Sequence, residues 1–310
     1  MEFTIPIDEV ISKILTFFIL GMFGVIAREF GFIKEEAISS FTNIVLYITL
    51  PSLIFVSMIN DVKWVYLIQG MFTPIICIVL ILIIMLLALF LGRLISVRAE
   101  KIGTFMVLSF MPNSGFLGFP IVFSIFGKEG LLYAILFDFG VTIAFFTIAI
   151  IVLRKGFLLD KSLKIFTNPA LLVVILGLIV NGFGIKIPNP LVESLEILGN
   201  ATIPIIMLVI GYRLADIKFK MNAINLELIT IFFIKLIFYP FIAYVLLLYL
   251  NIDPLVKAII IVESAMPSMA STSVLVQKYG GDINLVTTAV FFTTLMSIFS
   301  IPLILKFLIL

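Results

Sequence analysis

The sequence predicts an all-α polytopic membrane protein with ten transmembrane helices, arranged as a 5+5 inverted repeat in which helices 4 and 9 are broken and cross. Three observations predict this fold class. The chain is far more apolar than a soluble protein, it divides into ten apolar segments of membrane-spanning length, and a motif in the fourth segment returns in the ninth. The motif is Ser109-Phe110-Met111-Pro112-Asn113, echoed in the second half by Ser264-Ala265-Met266-Pro267-Ser268.

Composition excludes several classes of function. Hydrophobic residues make up 63% of the 310 residues and charged residues 12%, against about 45–50% and about 25% in soluble domains. The chain has no histidine and one cysteine, Cys77, which excludes an internal disulfide, histidine-based metal sites and histidine proton relays. We therefore expect no enzyme, no bound cofactor and no metal centre. A net charge of +2 gives no indication of nucleic-acid binding.

A helix needs about 20 largely apolar residues to span a bilayer, which is the natural partner of such a chain. By that measure the ten segments cover residues 9–28, 38–59, 66–92, 101–126, 130–153, 168–184, 191–212, 225–250, 255–279 and 284–307. The seventh segment begins with three polar residues, Glu193, Glu196 and Asn200. A hairpin or an interfacial helix is the alternative for that segment.

The distribution of lysine and arginine predicts the orientation. Of the 20 basic residues, thirteen fall in loops on one side, six fall on the other, and Lys235 lies inside a segment. Because short cytoplasmic loops carry the excess of positive charge, the richer side should be cytoplasmic. We expect a multi-pass protein of the cytoplasmic (inner) membrane with both termini outside.

The internal repeat extends beyond the two proline motifs. Three further pairs match at nearly the same spacing: Gly31-Phe32-Ile33-Lys34 with Gly182-Phe183-Gly184-Ile185-Lys186, Thr49-Leu50-Pro51 with Thr202-Ile203-Pro204, and Phe126-Gly127-Lys128-Glu129 with Tyr279-Gly280-Gly281-Asp282. Because each half holds five segments, an odd number, the second half must cross the membrane upside down relative to the first. Residues 1–155 and 156–310 are therefore the predicted repeats. Chance is the alternative, since proline is common in membrane helices.

The two broken segments are the predicted substrate site. A proline removes an amide donor and glycine weakens a helix, so the backbone should unwind there and begin a new half-helix at mid-membrane. The amides and dipole at such a helix start favour an anion. The candidate substrate-binding residues are Pro112, Asn113, Ser114 and Gly115 in the first break, and Pro267, Ser268, Ser271 and Thr272 in the second. The alternative is that these side chains only cap their own helices.

Three charged residues fall inside segments and are the candidates for ion coupling: Asp138, Lys235 and Glu263. A charge in the bilayer core is costly, so such residues normally face a cavity or a partner. Glu263 lies one turn before Pro267, near a helix C-terminus whose dipole disfavours negative charge. It should bind a cation or a proton, and we expect a coupling ion, a proton or sodium near Glu263. The alternative is a static ion pair of Lys235 with Glu263 or Asp138.

Two stretches resemble the auxin efflux carrier family, which comprises the plant PIN carriers and their bacterial relatives. They are Pro112-Asn113-Ser114-Gly115-Phe116-Leu117-Gly118-Phe119-Pro120 and Glu263-Ser264-Ala265-Met266-Pro267, and Lys278-Tyr279-Gly280-Gly281-Asp282 follows them. The resemblance covers essentially the whole chain. It implies a scaffold of helices 1, 2, 6 and 7, a transport domain of helices 3–5 and 8–10, and a homodimer through the scaffold.

The resemblance also implies that the substrate binds beside the crossing, where Asn113 matches the family's asparagine. Plant members move auxin, an aromatic carboxylate, and bacterial members are linked to dicarboxylates. We therefore expect a secondary active transporter of small organic carboxylate anions that works by an elevator or rocking motion. An anion channel or a ligand-sensing membrane receptor on the same fold is the alternative.

Overall fold

The computed structural model describes residues 7–60, 64–154, 169–216 and 224–308, and within these ranges the chain is helical apart from turns and short connections. The α-helices there are α1 (Ile7–Glu29), α2 (Glu35–Ile44), α3 (Leu50–Asn60), α4 (Trp64–Gly70), α5 (Thr73–Leu94), α6 (Ile102–Phe110), α7 (Phe119–Ala144), α8 (Ile150–Arg154), α9 (Pro169–Gly182), α10 (Asn189–Asn200), α11 (Thr202–Asp216), α12 (Leu226–Phe233), α13 (Tyr239–Leu248), α14 (Pro254–Ser264), α15 (Thr272–Tyr279) and α16 (Ile283–Leu308). Short π-helical segments lie at Val45–Thr49, Ser114–Gly118, Phe145–Ala149 and Ile234–Phe238.

Six helical stretches of the described chain are long and apolar enough to cross a membrane. They are Glu35–Ile59, Val65–Leu94, Ser114–Arg154, Asn189–Ala215, Leu226–Leu248 and Ile283–Leu308. The prediction of an all-helical, multi-pass membrane protein is thereby confirmed. The stretch Asn189–Ala215 contains the seventh predicted segment despite its polar start. Helices also lie at the remaining predicted segments, but the total of ten membrane spans stays a prediction.

Glycines with a left-handed backbone mark the turns between helices at matching positions of the two halves. Gly31 (φ 68°) and Gly184 (φ 60°) form one pair, and Gly127 (φ 67°) and Gly280 (φ 91°) form the other. The two members of each pair are separated by the same number of residues. Side chains other than glycine rarely adopt this conformation, because Cβ crowds the neighbouring carbonyl. Gly127 divides the stretch Ser114–Arg154 between the fourth and fifth predicted segments. The glycine positions therefore follow the repeat register read from the sequence.

One group of helices packs through very close backbone contacts. Helix α1 lies along α11, and α3 lies between α9 and α10. An added Cβ at Gly211 would overlap the carbonyl of Gly21, and one at Gly24 would overlap the carbonyl of Leu208. Small residues at such crossings let two helices pack at backbone distance, which is how membrane helices associate without a hydrophobic driving force.

A second group surrounds α5, which packs against α6 and α7, while α14 lies between α7 and α13. Helix α5 buries one face at helical spacing, including Cys77, Ile81, Ile84 and Ala88. Its opposite face is just as apolar and includes the exposed Phe90. Because lipid and protein interior favour the same residue types, hydropathy alone does not distinguish the two faces.

Candidate substrate site at the paired helix breaks

The first helix break lies at the end of α6, and Pro112 explains it. Phe110 is the last residue of α6, Met111 has an extended backbone (φ −89°, ψ 110°), and helical structure resumes at Ser114. Proline has no amide hydrogen, so the carbonyl four residues earlier, that of Leu108, loses its helical donor. The helix therefore stops where the sequence predicts an interruption.

The second break separates α14 from α15 and contains Pro267. Helix α14 ends at Ser264 and α15 begins at Thr272. The amides of Thr272, Ser273 and Val274 donate to carbonyls three residues earlier, at 3.2, 3.1 and 3.0 Å. The start of α15 thus satisfies its own amides, which leaves it a weaker anion site than the sequence predicts.

The two breaks are hydrogen-bonded to each other. Pro112 and Ser268 face each other in an antiparallel backbone bridge. The amide of Asn113 donates to the carbonyl of Pro267 at 2.9 Å, and the amide of Met269 donates to the carbonyl of Met111 at 3.1 Å. Within a membrane every backbone polar group needs a partner, so each break supplies partners that the other lacks.

The side chain of Ser268 completes this exchange. Its Oγ donates to the carbonyl of Leu108 at 2.8 Å, and its amide donates to Thr293 Oγ1 at 3.2 Å. Leu108 is the residue whose helical donor Pro112 removes. A hydroxyl on one break therefore replaces the hydrogen bond that the proline of the other break eliminates.

Asn113 and Ser114 lie at the centre of the first break. Asn113 is only 7% exposed, and its Oδ1 has no hydrogen-bond partner among the described residues. Ser114 is buried and donates from Oγ to Asp138 Oδ1 at 2.5 Å. A Cβ placed on Gly115 would lie 3.6 Å from Asp138 Oδ1, so the carboxylate also borders Gly115. A buried, unpartnered amide oxygen beside a carboxylate is costly in the absence of a ligand.

The polar side chains of the breaks have helix capping as their alternative role. The side chains of Asn113 and Ser271 precede the helical starts at Ser114 and Thr272, and neither makes a capping hydrogen bond. Thr272 Oγ1 is also buried without a partner in the described part of the chain. By contrast, other side chains in the described chain do cap helices, among them Asn225 on α12 and Asp253 on α14. Capping therefore does not account for the polar residues of the breaks.

Glu263 and Lys235 are fully buried, and neither side chain has a hydrogen-bond partner within the described ranges. The Glu263 carboxylate lies directly against Gly118, where an added Cβ would overlap it. The Lys235 ammonium lies 4.1 Å from the centre of the Tyr239 ring. Glu263 is within electrostatic range of both Lys235 and Asp138. The static ion pair of Lys235 is thus not seen in the described residues.

The structure brings most of the predicted residues into two adjoining groups. The paired breaks unite Pro112, Asn113, Ser114, Pro267 and Ser268, and contact with Ser114 and Gly118 joins the carboxylates of Asp138 and Glu263 to this region. Ser271 and Thr272 lie at the start of α15, one turn beyond. Sequence reasoning missed Thr293, a buried residue whose Oγ1 accepts the amide of Ser268, because a lone threonine in an apolar segment carries no distinguishing pattern.

A separate polar cluster lies where three helices begin, at the edge of the predicted spans. Lys101 Nζ is 2.8 Å from Asp282 Oδ2 and 3.8 Å from Glu227 Oε2. The hydrogen bond to Asp282 raises the pKa of Lys101. Burial acts to raise the pKa of Asp282, but hydrogen bonds from Lys101 and from the amide of Leu285 outweigh it and lower that pKa. This cluster joins the N-terminal ends of α6, α12 and α16.

Comparisons with known proteins agree with this architecture. The model of a family described as membrane transport protein matches residues 9–305. An uncharacterized transporter of Methanocaldococcus jannaschii is 34% identical over 306 residues, which cover 96% of this chain and 97% of that protein. An uncharacterized transporter of Methanothermobacter thermautotrophicus is 28% identical over 298 residues, covering 94% and 96%. The chain therefore belongs to this membrane transport protein family, the family of the auxin efflux carriers.

Proposed function

We propose that this protein is a secondary active transporter of small organic carboxylate anions, with the substrate bound at the paired breaks. The observation that carries the proposal is the buried side-chain amide of Asn113, whose Oδ1 lacks a partner in the described chain. This amide lies next to Ser114, where the helix resumes. The Asn113 amide offers donors as well as an acceptor. In the helix that begins at Ser114, the first backbone amides have no acceptor within that helix, and the helix dipole at that end favours negative charge.

The substrate lies nearer the first break than the second. Turn hydrogen bonds occupy the first amides of α15, and Ser268 uses its hydroxyl on the carbonyl of Leu108. Donors for a carboxylate therefore come mainly from Asn113 and the backbone that follows it. Ser271 and Thr272 stay secondary candidates at the rim of the same region.

The proposed architecture is a 5+5 inverted repeat of ten spans, with both termini outside the cytoplasmic membrane. The matched left-handed glycines, equally spaced along the chain in both pairs, support the repeat. The packing of α1 with α11, and of α3 with α9 and α10, supports a scaffold that moves as one body, and this scaffold would also form the homodimer. The other helices carry the substrate past it in an elevator or rocking motion.

Purified protein can be tested for binding by thermal melts with malate, malonate, benzoate and indole-3-acetate, followed by flux measurements in proteoliposomes. A ligand at 100 times its Kd stabilises the folded state by about 2.7 kcal/mol. We expect at least one acid to raise the midpoint and Asn113→Ala to abolish the increase. Asn200→Ala, at an exposed position on α10, is the matched control and should bind like the wild type.

Two results would contradict the proposal. One is a full set of acids that neither stabilise the protein nor cross the membrane through it. The other is carboxylate flux that Asn113→Ala leaves unchanged. Flux that never saturates with concentration would indicate a channel, and binding without any flux would indicate a receptor.

A further inference from the structure

We propose that two polar stripes on the scaffold line the aqueous route by which a solute reaches and leaves the paired breaks. The inference rests on the proposed transport function and on the inverted arrangement of the two halves. Each stripe lies on a stretch long and apolar enough to cross a membrane, Glu35–Ile59 or Asn189–Ala215. The inner stripe consists of Ser40, Asn43 and Tyr47, and the outer stripe consists of Glu193, Glu196 and Asn200.

The two stripes occupy equivalent positions of the repeat. Within each stripe the members are three and then four residues apart, which places them on one side of a helix. Each member is as far along the chain from its counterpart as Gly31 is from Gly184, before the stripes, and as Pro51 is from Pro204, after them. Matched motifs on both sides of the stripes therefore give one and the same register.

Both stripes reach the middle of the predicted membrane spans. Tyr47 is the central residue of Glu35–Ile59, and Asn200 lies near the centre of Asn189–Ala215. Tyr47 is 66% exposed, and the other members of the two stripes are exposed as well. A polar side chain at this depth normally faces protein or a water-filled cavity, because lipid tails offer no hydrogen-bond partner. The stripes therefore do not suit a surface that contacts lipid.

Helix α10 separates its polar flank from an apolar one. Residues that are two apart on a helix point in nearly opposite directions. Leu191 is two residues from Glu193, and Leu198 is two residues from Glu196. These leucines are 49% and 40% exposed. One exposed flank of α10 is thus suited to lipid, and the opposite exposed flank is suited to water.

A second copy of the chain is a poor cover for the outer stripe. In a twofold dimer the same surface meets itself, so Glu193 and Glu196 would lie against the identical carboxylates of the other copy. Like charges repel strongly where water is scarce. Glu193 instead borders an open cavity of about 630 Å³ together with Lys186 and Asn189. This cavity gives the outer stripe an entrance from water, and the apolar flank of α10 is left for lipid or for the homodimer.

The two stripes converge at the centre of the scaffold. Tyr47 lies in the π-helical segment Val45–Thr49, which packs against α10 and α11. Thr49 and Thr202 each follow the last member of a stripe by two residues, and both hydroxyls are buried without a partner among the described residues. In the proposed orientation the inner stripe opens to the cytoplasm and the outer stripe to the outside. The route is thus two half-paths that meet at mid-membrane, an arrangement suited to access from one side at a time.

The test measures how single cysteines react with a membrane-impermeant, sulfonate-bearing methanethiosulfonate added to one side of oriented proteoliposomes. Cys77, the one cysteine of the chain, is fully buried, so the wild type should react little. Only a thiolate reacts, and a thiol that faces lipid stays protonated. We expect Tyr47→Cys and Asn200→Cys to react from opposite sides of the membrane. Each should react at least about tenfold faster than its apolar neighbour at similar depth, Ile48→Cys or Leu198→Cys, which is also exposed.

The same labelled proteins report on transport. A sulfonate attached at Tyr47→Cys or Asn200→Cys should block carboxylate flux, whereas treatment of the Leu198→Cys control should leave flux unchanged. Binding in thermal melts should persist after labelling, because the proposed resting site of the substrate is at Asn113 and the stripes only lead to it. Asn200→Ala should bind like the wild type for the same reason.

Three results would overturn the inference. They are stripe cysteines that react no faster than their apolar controls, stripe cysteines that are all reached from the same side, and mild oxidation that links two copies through them. Asn43→Cys and Glu196→Cys repeat the measurement if either first variant does not fold. The labelling needs no substrate, so labelling from opposite sides without any acid flux supports the route and refutes carboxylate transport. Acid flux with unreactive stripes refutes the route and leaves the proposed function standing.

Discussion

The hydrogen bond from Ser268 to Leu108 should make a measurable contribution to the stability of the protein. Pro112 has no amide hydrogen to give the Leu108 carbonyl, and Ser268 Oγ donates to it instead, at 2.8 Å, from a residue that is fully buried. Ser268→Ala leaves that carbonyl without its donor in a region where water is scarce. Stranding a buried acceptor costs about 1–3 kcal/mol. We expect the free energy of unfolding to fall by about that amount.

Ser264 provides the matched control. It lies four residues earlier, is equally buried, and its Oγ has no hydrogen-bond partner in the described chain. Ser264→Ala removes a polar atom that is already unsatisfied, so it should leave stability within about 0.5 kcal/mol of the wild type or raise it.

Thermal melts of both variants in the same detergent, without ligand, measure the difference. A carboxylate-free melt separates the structural effect from any part that Ser268 plays in binding. If the two alanine variants lose equal stability, or if Ser264→Ala loses more, then the reasoning that Pro112 orphans Leu108 and Ser268 repairs it is refuted.

Two further changes address the neighbouring groups. Gly118→Ala places a Cβ into the Glu263 carboxylate, so it should destabilise the folded protein by about 1–3 kcal/mol and lower flux. Gly115→Ala should have a milder effect, because its Cβ would meet Asp138 only at 3.6 Å. Equal effects of the two variants in parallel melts and flux assays would contradict this. The Lys101–Asp282 pair should give an acid-dependent term in stability. Because Asp282 has a lowered pKa when folded, its contribution is present above the unfolded pKa of about 3.9 and disappears as pH falls through the folded value. Melts of Asp282→Asn across acidic pH should lack this term, and a pH dependence identical to the wild type would exclude it.

The sequence located the helix breaks because proline acts through a purely local mechanism. Pro112 and Pro267 remove donors wherever they stand in a membrane helix, and the matching motifs around them placed the two breaks in equivalent parts of the chain. The positions of the left-handed glycines can be found from the sequence in the same way, because Gly127 and Gly280 belong to one matched pair of stretches. Features that depend on one residue type in one conformation can be read from a single sequence.

Features that depend on which partner a polar group meets could not be read in this way. The motif around Pro267 predicts Ser268 as a candidate substrate ligand and the start of α15 as an anion site. In the structure Ser268 bonds to Leu108, and turn hydrogen bonds occupy the α15 amides. The ion pair of Lys235 was an open alternative because its candidate partners lie on other segments. Its ammonium instead lies over the ring of Tyr239, a partner that the i, i+4 spacing allows but does not single out.

The two halves therefore share the arrangement of their helix breaks but differ in the side chains around those breaks. Each half contributes a proline break, and each break is anchored to the segment that follows, through Asp138 in one half and Thr293 in the other. Glu263 has an apolar counterpart, Leu108, in the register of the two proline motifs. A symmetric pair of breaks would present the same groups to both sides of the membrane, which suits a motion between equivalent states. The carboxylates of Asp138 and Glu263 break that symmetry beside the paired breaks, so the two sides of this region differ in charge although they share a backbone arrangement.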